Sequence, residues 1–167
     1  MSILIDGHNL IGQIEDLSLS DPDDEARLVQ RLKVYRSAIN RPITVVFDHG
    51  ERYTPPQDLS GGGVKVLFAA LDSSADELIV QRIARSREPN ALLVVSTDRE
   101  VQAAARSRGA QVMTAQEFAR EMKETHAPRN KRRRRKPVFE PAVSAAEVEY
   151  WVRQFESRKG ERKRSGA

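Results

Sequence analysis

The sequence predicts an α/β protein, an open, mainly parallel sheet with helices on both faces and a basic C-terminal arm and short helix appended. Three observations predict it. Short apolar runs alternate with amphipathic stretches over residues 1–125. The middle runs are nearly unbroken in Val, Ile, Leu and Phe, as expected of strands covered on both faces. Helix-start signals fall between them in strand-then-helix order.

Residues 3–5 give the first strand, which runs straight into Asp6. Residues 23–40 form the first long helix, since Leu28, Leu32, Tyr35 and Ile39 recur at helical spacing. Residues 43–47 are the second strand. The stretch from Asp48 to Gly63, with Pro55, Pro56 and the Gly61, Gly62, Gly63 run, is a long connection ending in a flexible turn; it lacks the lysine and hydroxyl of a phosphate-binding P-loop. Strands follow at 64–68, 92–95 and 111–113, with helices at 74–86, 98–108 and 115–124. The S/T-x-x-E capping box predicts four helix starts: Ser74 with Glu77, Thr97 with Glu100, Thr114 with Glu117 and Ser144 with Glu147.

Residues 126–141 lose the apolar periodicity and are punctuated by Pro. They carry the run Lys131, Arg132, Arg133, Arg134, Arg135, Lys136, which reads as a linker or arm. In residues 142–159, Val148, Trp151, Val152 and Phe155 fall on one helical face, so an amphipathic helix should bury the only tryptophan. Residues 160–167 are expected to be disordered.

Charge divides the chain in the same place. Residues 1–125 hold 15 Lys+Arg against 19 Asp+Glu, a net −4; residues 126–167 hold 13 against 5, a net +8. A basic arm on an acidic domain points to a polyanionic partner, most often nucleic acid, with the six cations of the arm as its RNA-binding residues. The absence of cysteine excludes thiolate metal sites, iron–sulfur clusters and cysteine nucleophiles, and leaves oxygen or histidine to hold any metal. No basic leader precedes Asp6 and no long apolar run occurs. Neither a signal peptide nor a membrane span is expected, and the cytoplasm is the expected compartment.

In an open parallel sheet, ligands sit at the carboxyl ends of the strands. Four aspartates map to that edge: Asp6 and Asp48 after the first two strands, Asp76 in the opening turn of the following helix, and Asp98 after the fourth strand. Asn9 lies one turn beyond Asp6, and Ser96 and Thr97 precede Asp98. Gathered carboxylates repel one another unless a cation neutralises them, and Mg²⁺ or Mn²⁺ suits such oxygen donors. Such a site can direct water onto a phosphodiester without a covalent nucleophile. Each acid also has a purely structural reading. Asp76 and Asp98 suit the helix dipole, Asp48 a turn, and His8 and His49 the surroundings of the site or plain surface.

The ordered set of motifs resembles the YacP-type NYN-domain family, a branch of the PIN-like nucleases. The carriers are Ile3-Leu4-Ile5-Asp6-Gly7-His8-Asn9-Leu10-Ile11-Gly12, Val45-Val46-Phe47-Asp48, Val66-Leu67-Phe68 followed by Ser74-Ala75-Asp76-Glu77, Val94-Val95-Ser96-Thr97-Asp98, and Gly109-Ala110 before Gln116-Glu117-Phe118. The resemblance covers about the first 120 residues and departs at position 8, where family members commonly carry tyrosine. It implies divalent-metal-dependent cleavage of single-stranded RNA at positions matching Asp6, Asn9, Asp76 and Asp98, with messenger RNA as candidate substrate and the ribosome as candidate partner. In the leading hypothesis Asp6, Asp76 and Asp98 hold the metal and are catalytic. Asp48 assists as an outer ligand or water-orienting group, Asn9 with Thr97 positions ligands or phosphate, and Ser96 supports them. The runner-up is a non-catalytic RNA- or ribosome-binding adaptor. A phosphatase on a similar sheet would want an aspartate where His8 stands.

Overall fold

A computed structural model describes residues 1–50 and 58–126, together with residues 146, 148–150 and 152–153 of the C-terminal part. Five parallel strands, β1 (Ser2–Asp6), β2 (Ile43–Phe47), β3 (Val64–Phe68), β4 (Leu92–Val95) and β5 (Gln111–Met113), form one sheet in the order β3-β2-β1-β4-β5. The helices are α1 (Gly7–Ile11), α2 (Asp24–Ile39), α3 (Ala75–Arg85), α4 (Arg99–Ser107) and α5 (Ala115–His126). The predicted α/β class, all five strands and the four longer helices of the domain are present.

Both sheet faces are dry, and the side-chain alternation of a strand explains how. Ile3 and Ile5 of β1, Val45 and Phe47 of β2, and Leu93 and Val95 of β4 join one core with Leu10, Leu28, Leu32, Tyr35 and Phe118 of α1, α2 and α5. Leu4, Val46 and Val94 face the other way and meet Ala75, Ile79, Ile83, Val101 and Ala105 of α3 and α4. Every residue of β4 is buried, which is why its sequence lacks polar alternation.

Two elements escape the sequence reading, α1 and a 3-10 turn at Pro89–Ala91. With only five residues, α1 is too short to display a helical period; the Asp6 side chain starts it by accepting the Asn9 N–H. Gly61, Gly62 and Gly63 form a defined turn rather than a flexible one. All three have positive φ, and Gly61 and Val64 exchange backbone hydrogen bonds of 2.9 Å in both directions.

Of the capping boxes, Thr114 and Glu117 are reciprocal: Thr114 Oγ1 accepts the Glu117 N–H at 3.2 Å and Glu117 Oε2 accepts the Thr114 N–H at 2.9 Å. Ser74 caps α3 through the Glu77 N–H, while Glu77 accepts instead from the Ser73 hydroxyl. The Thr97–Glu100 box does not form. Asp98 is the cap of α4, accepting the Glu100 and Val101 N–H groups at 2.8 and 3.0 Å, because a carboxylate at that place outcompetes the preceding hydroxyl.

Ser144, Glu147, Trp151 and Phe155, the basic run and residues 160–167 lie outside the described residues. Residues 146, 148–150 and 152–153 are helical, with Val148 and Val152 half exposed. Among the described residues no helix is long and apolar enough to cross a membrane.

Candidate active site

The strand order sets the location. The chain builds β1, β2 and β3 outward on one side and then returns past β1 to add β4 and β5. The reversal opens a crevice between the carboxyl ends of β1 and β4. Asp6 stands at its centre as the last residue of β1 and is only 7% exposed. Asp76, in the first turn of α3, is brought to it from the other face of the sheet, and the Asp6 side chain is its hydrogen-bond partner.

Asp48 explains why α3 starts where it does. Its Oδ1 accepts the Ala75 N–H at 2.7 Å, a clamp from the end of β2 onto the helix that carries Asp76. Asp48 thus holds the start of α3 through one carboxylate oxygen. Asp98 lies across the crevice with Oδ1 engaged at the start of α4. Ser96 is fully buried. Its hydroxyl accepts the Asp98 N–H at 3.1 Å and its carbonyl accepts from Gln102 Nε2 at 2.8 Å, so it shapes the loop. Thr97 Oγ1 accepts the Ala115 N–H at 3.4 Å and ties this loop to α5. Asn9 is half-buried and enters the hydrogen bonding of the site through its backbone N–H.

The electrostatics follow the geometry. Burial pushes the Asp6 carboxyl up to about 6; the negative charges of Asp76 and Asp48 add to this, while the Asn9 N–H and His8 oppose it. Asp76 is raised by burial and by the charges of Asp98 and Asp48, and is pulled back by its hydrogen bond with Asp6.

Among the described residues no three His, Asp or Glu side chains stand close enough to hold a metal ion between them. The charges of Asp76 and Asp48 act on Asp6, and those of Asp98 and Asp48 on Asp76. The donor set nevertheless fits a hard divalent cation. Mg²⁺ is commonly held by one or two carboxylates, with water and substrate phosphate completing its shell, and a cation would offset the mutual repulsion of Asp6 and Asp76.

His8 stands in the surroundings of the site, one of the readings its position allowed, and its partner Glu25 was not singled out by the sequence. The His8 Nδ1 accepts the Asp48 N–H at 3.4 Å, leaving Nε2 to donate to Glu25 Oε1 at 3.2 Å. That glutamate raises the imidazole pKa. The His8 ring also meets the Phe47 ring edge-to-face, with centroids 5.3 Å apart. Glu25 is seventeen positions away and joins His8 only because α1 packs on the first turn of α2, so no spacing rule signals it.

The glycine of the opening motif has a steric reason. A Cβ at Gly7 would fall 2.2 Å from Phe47 Cε1, and Phe47 is fully buried between the His8 and Phe68 rings. Gly7→Ala is expected to destabilise the fold by about 1–3 kcal/mol through overpacking, and to displace His8 and Asp48 with the ring. The midpoint of denaturant unfolding measures this; an unchanged midpoint would show that the Phe47 ring yields freely.

Comparison with known proteins agrees with this architecture. Residues 3–156 match the YacP-like NYN domain, a span that includes the basic run. The fold is similar to the crystal structure of Rae1 (YacP) from Bacillus subtilis, with 25% sequence identity, a TM-score of 0.66, and 100% of this chain and 99% of that chain covered. It is also similar to the structure of a tryptophan-to-leucine mutant of the same Bacillus subtilis protein, with 28% identity, a TM-score of 0.62, and 89% and 91% covered. No curated protein matches the sequence. The PIN-like nuclease family to which this chain belongs is that of the YacP-like NYN domain.

Proposed function

We propose that this protein is a Mg²⁺- or Mn²⁺-dependent endoribonuclease that hydrolyses phosphodiesters of single-stranded RNA. The observation that carries the reading is the Asp6–Asp76 pair at the β1/β4 crevice, with the Asp6 pKa raised to about 6. A domain that only binds polyanions gains nothing from buried negative charge at the point where ligands enter. Asp6 and Asp76 would hold the ion, and Asp98 would add its charge from β4. When bound, the ion supplies Lewis-acid stabilisation of the phosphate and a more acidic water.

The chain's own residues do the rest. Asp48 fixes α3, and with it Asp76, against the end of β2. Glu25 and the Asp48 backbone hold His8 in one orientation beside the site, with both ring nitrogens engaged. Ser96 and Thr97 keep the β4 loop in place. Messenger RNA as the substrate, the ribosome as a partner and a cytoplasmic setting rest on the family resemblance and on the +8 charge of residues 126–167.

End-labelled single-stranded RNA incubated with Mn²⁺, with Mg²⁺ and with chelator tests the proposal. Internal cleavage that the chelator removes is the expected result. RNA binding without cleavage under every condition would establish the non-catalytic adaptor instead, and release of terminal phosphate alone would establish a phosphatase.

A further inference from the structure

A second polar groove lies at the opposite edge of the sheet. It has a volume of about 400 Å³ and runs between the C-terminal half of α3 and the amino ends of β1, β2 and β4. Its polar lining consists of Ser2, Thr44, Gln81, Arg82, Arg85 and Ser86, with no acidic residue. Two guanidiniums without a carboxylate are unexpected here, because residues 1–125 carry a net charge of −4 and the same sheet's other edge is acidic.

Both stand in the last turn of α3, where the helix dipole favours a cation, but neither caps the end of the helix. Cations near a helix C-terminus ordinarily satisfy its last carbonyls. In α3 that task falls to Arg108, whose guanidinium donates to the carbonyls of Ala84 at 3.1 Å and Ser86 at 3.5 Å. Neither Arg82 nor Arg85 forms an ion pair among the described residues, and the Nε of Arg82 is closed to solvent without a hydrogen-bond partner there. A buried donor without an acceptor is costly, and arginine forks match phosphate oxygens. The hydroxyls of Ser2, Thr44 and Ser86 and the Gln81 amide supply further donors.

From these observations we infer that the groove is a second phosphate-binding site, sized for a nucleotide-like phosphate ester, with Arg82 and Arg85 as its anion ligands. The apolar part of the lining, including Leu78 and Leu92, gives the ester's organic portion a surface to cover. Its source is either a free nucleotide or one nucleotide of a longer strand. The strand version rests on the endoribonuclease reading and would make the groove an exosite whose arginines stand about 9–14 Å along α3 from Asp76, at roughly 1.5 Å per residue. The free-nucleotide version does not depend on that reading.

The test is a titration of the full ¹⁵N-labelled chain, with chelator present and pH and ionic strength constant. The ligands are inorganic phosphate, uridine monophosphate and a short single-stranded oligoribonucleotide. The Arg82 Nε–H signal and the Gln81 and Ser86 amides report on the groove without reference to cleavage. Saturable shifts are expected, with binding weakened about tenfold or more in Arg85→Gln and left unchanged in Arg106→Gln on α4. Because Arg85 is exposed, its replacement keeps the test valid if Arg82→Gln fails to fold. Equal affinity for phosphate and nucleotide identifies the anion alone as the ligand, tighter nucleotide binding identifies the ester, and tighter oligonucleotide binding identifies the strand. Shifts that rise linearly without saturation for all three ligands, or equal affinities in wild type and Arg85→Gln, would overturn the assignment.

Discussion

Asp6→Asn and Asp76→Asn are each expected to lower RNA cleavage by about 10²-fold or more while leaving the fold intact. Asparagine keeps the shape and the acceptor oxygen that takes the Asn9 N–H, so Asp6→Asn removes charge without removing the α1 cap. Asp98→Asn should also keep its cap on α4, and a loss of cleavage there would report the missing charge across the crevice. Because the carboxylates act together, the double and triple variants should lose little more than the singles. Folded variants that cleave at the wild-type rate would sink the site.

Stability should move in the opposite direction to activity. The folded-state pKa of Asp6 is about 6, against an ordinary value of 3.8, so the fold favours its neutral form. Its contribution is fully present below pH 3.8 and is lost as pH rises through 6, a difference of roughly 3 kcal/mol for this group alone. Well above pH 6, Asp6→Asn should therefore melt at a higher temperature than wild type. Mn²⁺ should close the gap by stabilising only the protein whose carboxylates are present. Melting curves on both sides of pH 6, with and without Mn²⁺, measure both effects. A wild type more stable than Asp6→Asn in metal-free alkaline buffer would show that the buried charge is already compensated.

Replacing Arg132, Arg133, Arg134 and Arg135 together by Ser should weaken RNA binding far more than it lowers the rate at saturating substrate. The reason is the charge division: the +8 segment follows the last strand and helix of the sheet domain in sequence. If about five of its cations contact single-strand phosphates, they contribute a slope of log K against log[salt] near −3.5, at roughly −0.7 per contact. The quadruple variant should flatten the slope by up to about 2.8. This substitution is a cleaner probe than deleting residues 128–167, since deletion also removes the helical residues at 148–150 and 152–153. RNA affinity at several salt concentrations provides the measurement. Equal slopes and affinities would reduce the arm to a solvated tail.

The helix starts separate local from non-local information. Thr114 and Glu117 pair within one turn and behave as their spacing predicts, whereas Thr97 is displaced by Asp98 one residue on, a competition that a regular expression does not weigh. The Asp98 cap also shows why an aspartate at a strand end is ambiguous: one carboxylate can serve a helix and a ligand, and its sequence position is the same for both.

What the sequence alone determined was everything governed by short-range periodicity and composition: five strands and four of the five helices, the α/β class, the acidic domain with its basic arm, and the edge on which Asp6, Asp48, Asp76 and Asp98 would fall. Tertiary structure decided which of those acids meet. The β3-β2-β1-β4-β5 order puts Asp6 at the reversal point, and the Asp48 clamp on α3 brings Asp76 to it. The same packing seats Glu25 on His8 and forbids a side chain at Gly7, contacts made across 17 and 40 residues of chain. The physical reason is one of range. Backbone hydrogen bonding and hydrophobic alternation act between near neighbours and are written in the local sequence. Desolvation and charge coupling depend on which distant segments share a crevice, and only the folded chain sets that.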